Sequence, residues 1–142
     1  RVKFALENFP QLTNFIGRWQ VLQHKPLVIA DSAHNIAGIS MVLNQINKYH
    51  FPCIKIILGF VNDKDVTNVL ELLPKNAQHF FVNANIPRAL PSLELKSVAS
   101  DYGLKGKAYA TVKRGKLAAI RSAKENDLIL ILGSIFVVGE CL

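Results

Sequence analysis

The chain has 142 residues, half of them hydrophobic, which is enough for one well-buried core and short for two. A formal charge of +7 and a pI near 9.6 favour anionic partners such as nucleotide phosphates or nucleic acid. Apolar runs such as Ile54 to Phe60 and Leu128 to Leu132 fall far short of the roughly 20 residues that cross a bilayer, so a membrane span is excluded and a cytoplasmic protein is expected.

In chain order, Arg18-Trp19-Gln20-Val21-Leu22 alternates like a half-exposed strand, and His24-Lys25-Pro26 turns the chain into the apolar Leu27-Val28-Ile29-Ala30 run, predicting a hairpin. Ile39, Val42, Leu43 and Ile46 share one face of a helix that follows Asn35 and ends near Tyr49. Ile54 to Leu58 reads as a buried strand stopped by Gly59. Val66, Val69, Leu70 and Leu73 repeat the helical spacing up to Pro74.

His79 to Val82 is the next core strand, and Leu95, Val98, Ala99 and Tyr102 mark a helix before Gly103. A short strand is expected over Lys107 to Ala110, a helix over Lys113 to Glu125, a strand over Leu128 to Leu132 and a short helix over Ser134 to Glu140. Strands alternating with helices imply right-handed crossovers. The predicted fold is therefore α/β, doubly wound and Rossmann-like: a mainly parallel six-stranded sheet with one antiparallel edge strand, covered on both faces. Ligands of such sheets sit beyond the carboxyl ends of the strands where strand order reverses, which directs attention to Asp31 to Asn35, Gly59 to Asp65, Asn83 to Arg88 and Gly133-Ser134.

Several chemistries find no support. Neither G-x-x-x-x-G-K-[ST] nor G-x-G-x-x-G occurs, so the usual backbone cradles for nucleotide phosphates are missing. No Ser or Cys sits in a nucleophile elbow, and Cys53 and Cys141 have no second ligand at metal spacing, so no metal site is expected and both are read as reduced, unpaired thiols. Lys113-Arg114-Gly115-Lys116 is the one basic cluster. It lacks interleaved aromatic residues and reads as a solvated helix face, so no nucleic-acid partner is expected.

Four blocks of residues carry a family resemblance. Gly17-Arg18-Trp19-Gln20-Val21-Leu22 with Pro26 to Asn35 is similar to the G-R-x-[EQ]-V and P-hydrophobic-D-x-A-H-N signature of the carboxyl-terminal domain of folylpolyglutamate synthases and dihydrofolate synthases, in the Mur ligase superfamily. Gly59 to Asp65 resembles that family's G-x-x-x-D-K-D, Pro87 to Pro91 its R-A-hydrophobic-P turn, and Gly133 to Glu140 its closing G-S-x-x-x-V-G-E. The blocks occur in order from Gly17 to Glu140. Ser32 replaces the commoner Gly, and Ile36 stands where Pro is frequent, without removing a chemical group.

The resemblance implies an ATP-dependent ligase that adds L-glutamate to dihydropteroate or folate through an acyl phosphate. MgATP would be held mainly by an amino-terminal phosphate-loop ATPase domain, and this domain would close over the site as part of a monomer. It would be inactive alone. Residues 17–142 would form that domain, and residues 1–16, with Phe4, Leu6, Phe9 and Leu12, the linker and the end of the preceding one.

By the same resemblance Arg18 and Asp31 match residues that reach the nucleotide, and His34 a residue that meets phosphate or the incoming glutamate. Position alone leaves other readings open. Asp31 also suits a turn into a helix, Asn35 caps a helix by default, and Ser134 either caps its helix or binds a glutamate carboxylate. Asp63, Lys64 and Asp65 either start a helix or position a charge, and Arg88 stands open. The alternatives for the whole chain are the equivalent domain of another Mur-type amide ligase and a free-standing nucleotide-binding module.

Overall fold

The computed structural model describes residues 18–62 and 66–142. The expected linker at residues 1–16, Gly17, and the Asp63-Lys64-Asp65 block lie outside the described residues. Eleven elements follow one another: β1 (Gln20–His24), β2 (Leu27–Ala30), α1 (Ile36–Ile46), β3 (Ile54–Leu58), α2 (Thr67–Leu70), β4 (Gln78–Phe81), α3 (Ser92–Ser100), β5 (Lys105–Ala108), α4 (Val112–Ser122), β6 (Leu128–Leu132) and α5 (Ile135–Cys141). The strands form one six-stranded sheet in the order β1-β2-β6-β3-β4-β5, with β1 antiparallel at the edge and every other pair parallel. This is the predicted architecture.

The core follows from the pleat. Successive side chains of a strand face opposite sides, and along β6 Leu128, Leu130 and Leu132 join one buried cluster while Ile129 and Ile131 join the other. The first cluster takes Ile39, Val42 and Ile46 of α1, Val69 and Leu70 of α2, and Leu95 and Ala99 of α3; the second takes Val112 and Ala119 of α4 and Val137 and Val138 of α5. Helices thus cover both faces, and β6, paired on both sides and fully buried, is apolar throughout.

Element limits shift for local reasons. β1 begins at Gln20 rather than Arg18, because Trp19 takes a positive φ of 46° that no strand accommodates. Its register slips between Val21 and Gln23. α2 is a single turn instead of a helix over Val66 to Leu73: no side chain caps Val66, and Pro74 disfavours helical backbone at Leu73. β5 lies two residues earlier than expected. Gly106 stands opposite His79, where a Cβ would run into the His79 carbonyl. α4 ends at Ser122 instead of Glu125, since Asp127 accepts a hydrogen bond from the Lys124 amide (2.8 Å) and folds those residues into a turn.

The basic segment on α4 is not one solvated face. Lys113 and Arg114 are exposed, Gly115 is packed under Val82, and Lys116 Nζ donates to the Cys141 carbonyl at 2.8 Å. Cys53 is half-buried and Cys141 buried, and neither is disulfide-bonded. Burial pushes the Cys141 thiol up to about 11.

Candidate functional site

The strand order creates the site. β2 leads through α1, on one face, to β3; β6 then inserts between β2 and β3 and feeds α5 on the opposite face. Adjacent strands whose following helices leave to opposite faces open a crevice at their carboxyl ends.

Three strand ends are fastened together there. The Gly133 amide donates to the Ala33 carbonyl at 2.8 Å, and the Asp31 amide to the Ile131 carbonyl at 2.9 Å. Gly133 has φ 111°, and a Cβ on it would collide with the Gly59 carbonyl oxygen, so the residue after β6 has to be glycine for β2, β6 and β3 to end this close together.

Asp31 is the buried polar centre, 5 % exposed. One carboxylate oxygen accepts the Ala33 amide (2.9 Å) and the other the Trp19 amide (3.0 Å). The first bond shapes the turn after β2. The second holds the strained Trp19 backbone and with it Arg18, whose Nε lies 4.0 Å from Asp31 Oδ1 and whose side chain is 51 % exposed. Burial raises the Asp31 pKa, while the Ala33 and Trp19 amides and the Arg18 charge pull the other way. Each carboxylate oxygen retains capacity for a further donor.

His34 is exposed, and its Nδ1 lies 3.2 Å from the Ser32 carbonyl oxygen. A carbonyl only accepts, so this contact places the proton on Nδ1 and makes Nε2 the acceptor of the neutral ring. Asn35 caps α1, its Oδ1 accepting the Gly38 amide at 2.8 Å. Ser134 is buried and caps α5, its Oγ accepting the Phe136 amide at 3.0 Å. In both cases the capping interpretation is realised.

An open cleft of about 200 Å³ gathers residues from all four of the strand-end loops singled out in the sequence. His34 comes from the loop after β2, Val61 from that after β3, Arg88 from that after β4, and Gly133 and Ser134 from that after β6, joined by Ile135 and Phe136 at the start of α5. Asp31, which bonds the Ala33 amide of the same turn, and its ion-pair partner Arg18 are not among the residues that line the cleft. Arg88, left open by sequence, is therefore a cleft residue. Its signal was position after a core strand.

Among the described residues no group of three or more His, Cys, Asp or Glu side chains is placed to hold a metal ion, and no helix is long and apolar enough to cross a membrane.

A family model for the Mur ligase glutamate ligase domain matches residues 17–135. A "probable bifunctional folylpolyglutamate synthase/dihydropteroate synthase" of Haloferax volcanii is 29% identical over 127 residues, covering 87% of this chain and 15% of that protein. A dihydrofolate synthase/folylpolyglutamate synthase of Buchnera aphidicola from Schizaphis graminum is 28% identical over 127 residues, covering 87% of this chain and 30% of its own length.

Among solved structures, E. coli FolC in complex with DHPP and ADP superposes with a TM-score of 0.81 at 24% identity, over 89% of this chain and 30% of that one. The bifunctional folylpolyglutamate synthase/dihydrofolate synthase of Yersinia pestis, complexed with AMPPNP and Mn, gives 0.79 at 21% identity over the same shares. The structural likeness concerns the fold, and this chain spans less than a third of each of these relatives. The match over residues 17–135 decides the assignment: the chain belongs to the glutamate ligase domain family of the Mur ligases.

Proposed function

We propose that this chain is the carboxyl-terminal domain of an ATP-dependent folate ligase, a folylpolyglutamate synthase/dihydrofolate synthase, in which it completes a site begun by a phosphate-loop ATPase domain. The observation that carries the reading is the crevice at the carboxyl ends of β2, β6 and β3, where residues of the resemblance motifs, His34, Gly133 and Ser134, line one cleft, and where Asp31, paired with Arg18, bonds the turn that carries His34. The similar structures with ADP, or with AMPPNP and Mn, and the folate ligases among the relatives support the substrate class.

In this reading residues 17–142 form the domain and residues 1–16 the linker and the end of the preceding one. Activity requires both domains, and the assembled enzyme is a cytoplasmic monomer. Arg18, an exposed planar cation, pairs with phosphate oxygens in two parallel hydrogen bonds. Asp31 accepts from nucleotide hydroxyls with the lone pairs that the Trp19 and Ala33 amides leave over. The divalent cation that accompanies ATP would be held mainly by the other domain, as the family resemblance implies. Its contribution when bound is to neutralise phosphate charge.

The chemistry is amide formation. The pteroate or folate carboxylate takes the γ-phosphoryl group, the glutamate amine attacks the acyl carbon, and the tetrahedral intermediate expels phosphate. His34 is the catalytic candidate of this domain: with Nδ1 committed to Ser32, Nε2 can accept a proton from the attacking amine or, protonated, donate to phosphate. In this reading Ser134 and Asn35 serve the glutamate, Asn35 chiefly by fixing the start of α1, which its Oδ1 caps.

Ile36, Ile135 and Phe136 are 49%, 49% and 40% exposed at this end of the sheet, an apolar rim that closure of the second domain would cover, excluding the water that hydrolyses an acyl phosphate. The test is ATP- and glutamate-dependent ligation by the full ligase chain. Asp31→Ala and His34→Ala are each expected to abolish it, and retained activity in both would end the proposal.

A further inference from the structure

Charge is unevenly distributed along this chain. Residues 102–124 carry seven of the 17 lysines and arginines and none of the 10 aspartates and glutamates. The ten basic residues elsewhere balance the 10 acidic ones, so the whole net charge of +7 belongs to β5, α4 and their flanks. Lys105, Lys107, Lys113, Arg114, Arg121 and Lys124 are exposed, and no ion pair among the described residues holds any of them.

The fold gathers these cations along one border. β5 ends the sheet, so one of its edges is open. Lys105 and Lys107 stand in register with Gln78 and Phe80, and residues in register on parallel strands face the same side, here the side of Phe80 and α4. α3 covers the other side of β5, whereas α4 packs chiefly on β3 and β4 and leaves the two lysines on a shelf. Lys116 reaches back to α5, which packs on β6, so the flank of α4 opposite Lys116 faces β5. At about 3.6 residues per turn that flank carries Arg114, Ala118 and Arg121. Lysines on the strand and arginines on the helix thus border the same shelf, with Tyr109, stacked on Phe80 at 5.9 Å, half-buried at its carboxyl end.

The backbone of β5 is available as well. The Tyr109 amide donates to the Phe81 carbonyl at 2.7 Å, and amides of successive strand residues point to opposite edges, so the Ala108 amide points to the open one. A second copy of this strand would set lysine against lysine and is rejected. An extended chain with carboxylates on its α4 side meets both the charge and the open edge.

We propose that the β5–α4 shelf docks an acidic polypeptide segment as an added strand beside β5, its carboxylates lying between the lysines of β5 and the arginines of α4. This interaction is separate from the cleft and does not depend on the ligase reading.

Fluorescence anisotropy of the full ligase chain with a fluorescein-labelled peptide in which Glu alternates with Thr tests it. The peptide is expected to bind at least about tenfold more tightly than its counterpart with Gln for Glu. The double variants Lys105→Glu/Lys107→Glu and Arg114→Glu/Arg121→Glu should each weaken binding by about tenfold or more. The arginine pair, on an exposed helix flank, should keep the wild-type urea midpoint and ligation rate. Ala108→Pro keeps every charge and removes one donor from the open edge, so a loss of about three- to tenfold is expected. No binding by wild type, equal binding of the Gln peptide, or unaltered binding by Ala108→Pro overturns the proposal. So does tighter binding of a single-stranded oligonucleotide of equal charge, for which Tyr109 would serve as a stacking platform. A wild-type chain that binds the peptide but ligates no glutamate overturns the folate ligase reading alone.

Discussion

The carboxyl end of the sheet and its interior bury ionisable groups in opposite ways. Asp31, at the end of β2, gives each of its oxygens to a backbone amide and has Arg18 alongside. His79, in the middle of β4, is 1% exposed, stacks on Phe81 at 5.9 Å and 9°, and has no hydrogen-bond partner for either ring nitrogen among the described residues. Backbone groups of Lys105 and Ala77 lie near enough to offset its burial slightly, yet neither closes a hydrogen bond, and desolvation lowers its pKa from 6.5 to about 4. Burial also raises the pKa of Asp31, so both groups resist charging, but only the carboxylate organises the chain around it. A buried polar group with backbone partners is part of the site's framework; one without them behaves as a neutral core side chain that protonation can spoil.

Removing Asp31 should break that contrast most severely. Asp31→Ala leaves the Trp19 and Ala33 amides without their acceptor and releases a positive-φ residue, so a loss of about 4 kcal/mol is expected in urea denaturation, roughly 2 for each amide. A loss under about 1 kcal/mol would mean that water replaces the carboxylate and that Asp31 is dispensable to the framework.

His79 supplies the pH arm. Because its folded pKa is lowered to about 4, the unfolded chain binds a proton below 6.5 that the folded chain refuses. Its contribution is therefore fully present above 6.5 and lost as pH falls through about 4, worth on the order of 3 kcal/mol. His79→Leu should flatten stability between those pH values without cost at neutral pH, since no hydrogen bond is broken; parallel pH profiles for the two proteins would contradict it.

Smaller effects are expected at the helix starts. Ser134→Ala should cost about 1 kcal/mol, the usual worth of a capping hydroxyl, in the same denaturation assay. His34→Ala should leave the urea midpoint almost unchanged, because the ring is exposed and makes one contact to Ser32. A marked loss of stability there would show that the histidine belongs to the framework together with Asp31.

Much of this molecule was legible before its coordinates. Helical spacing at Ile39, Val42 and Ile46 and the unbroken apolar Leu128 to Leu132 marked their elements, and the motif residues fell on strand ends as ligand-binding positions should. Edges were less legible. β5, with the sequence Lys-Gly-Lys-Ala, has little hydrophobic pattern to read, and the helical spacing through Leu73 concealed a single turn limited by Pro74.

What the sequence by itself determined is local: the strand and helix succession, and the caps at Asn35 and Ser134, whose bonds to Gly38 and Phe136 span two or three residues and need nothing distant. The positive φ of Trp19, the unpartnered ring of His79, the tie from Glu140 to Asn85 and the meeting of His34, Arg88 and Ser134 were decided only in the tertiary structure. All depend on β6 pairing between β2 and β3 and on loops packed across separate strand ends. Those are long-range contacts whose energy is summed over the whole core, so no stretch of neighbouring residues encodes them.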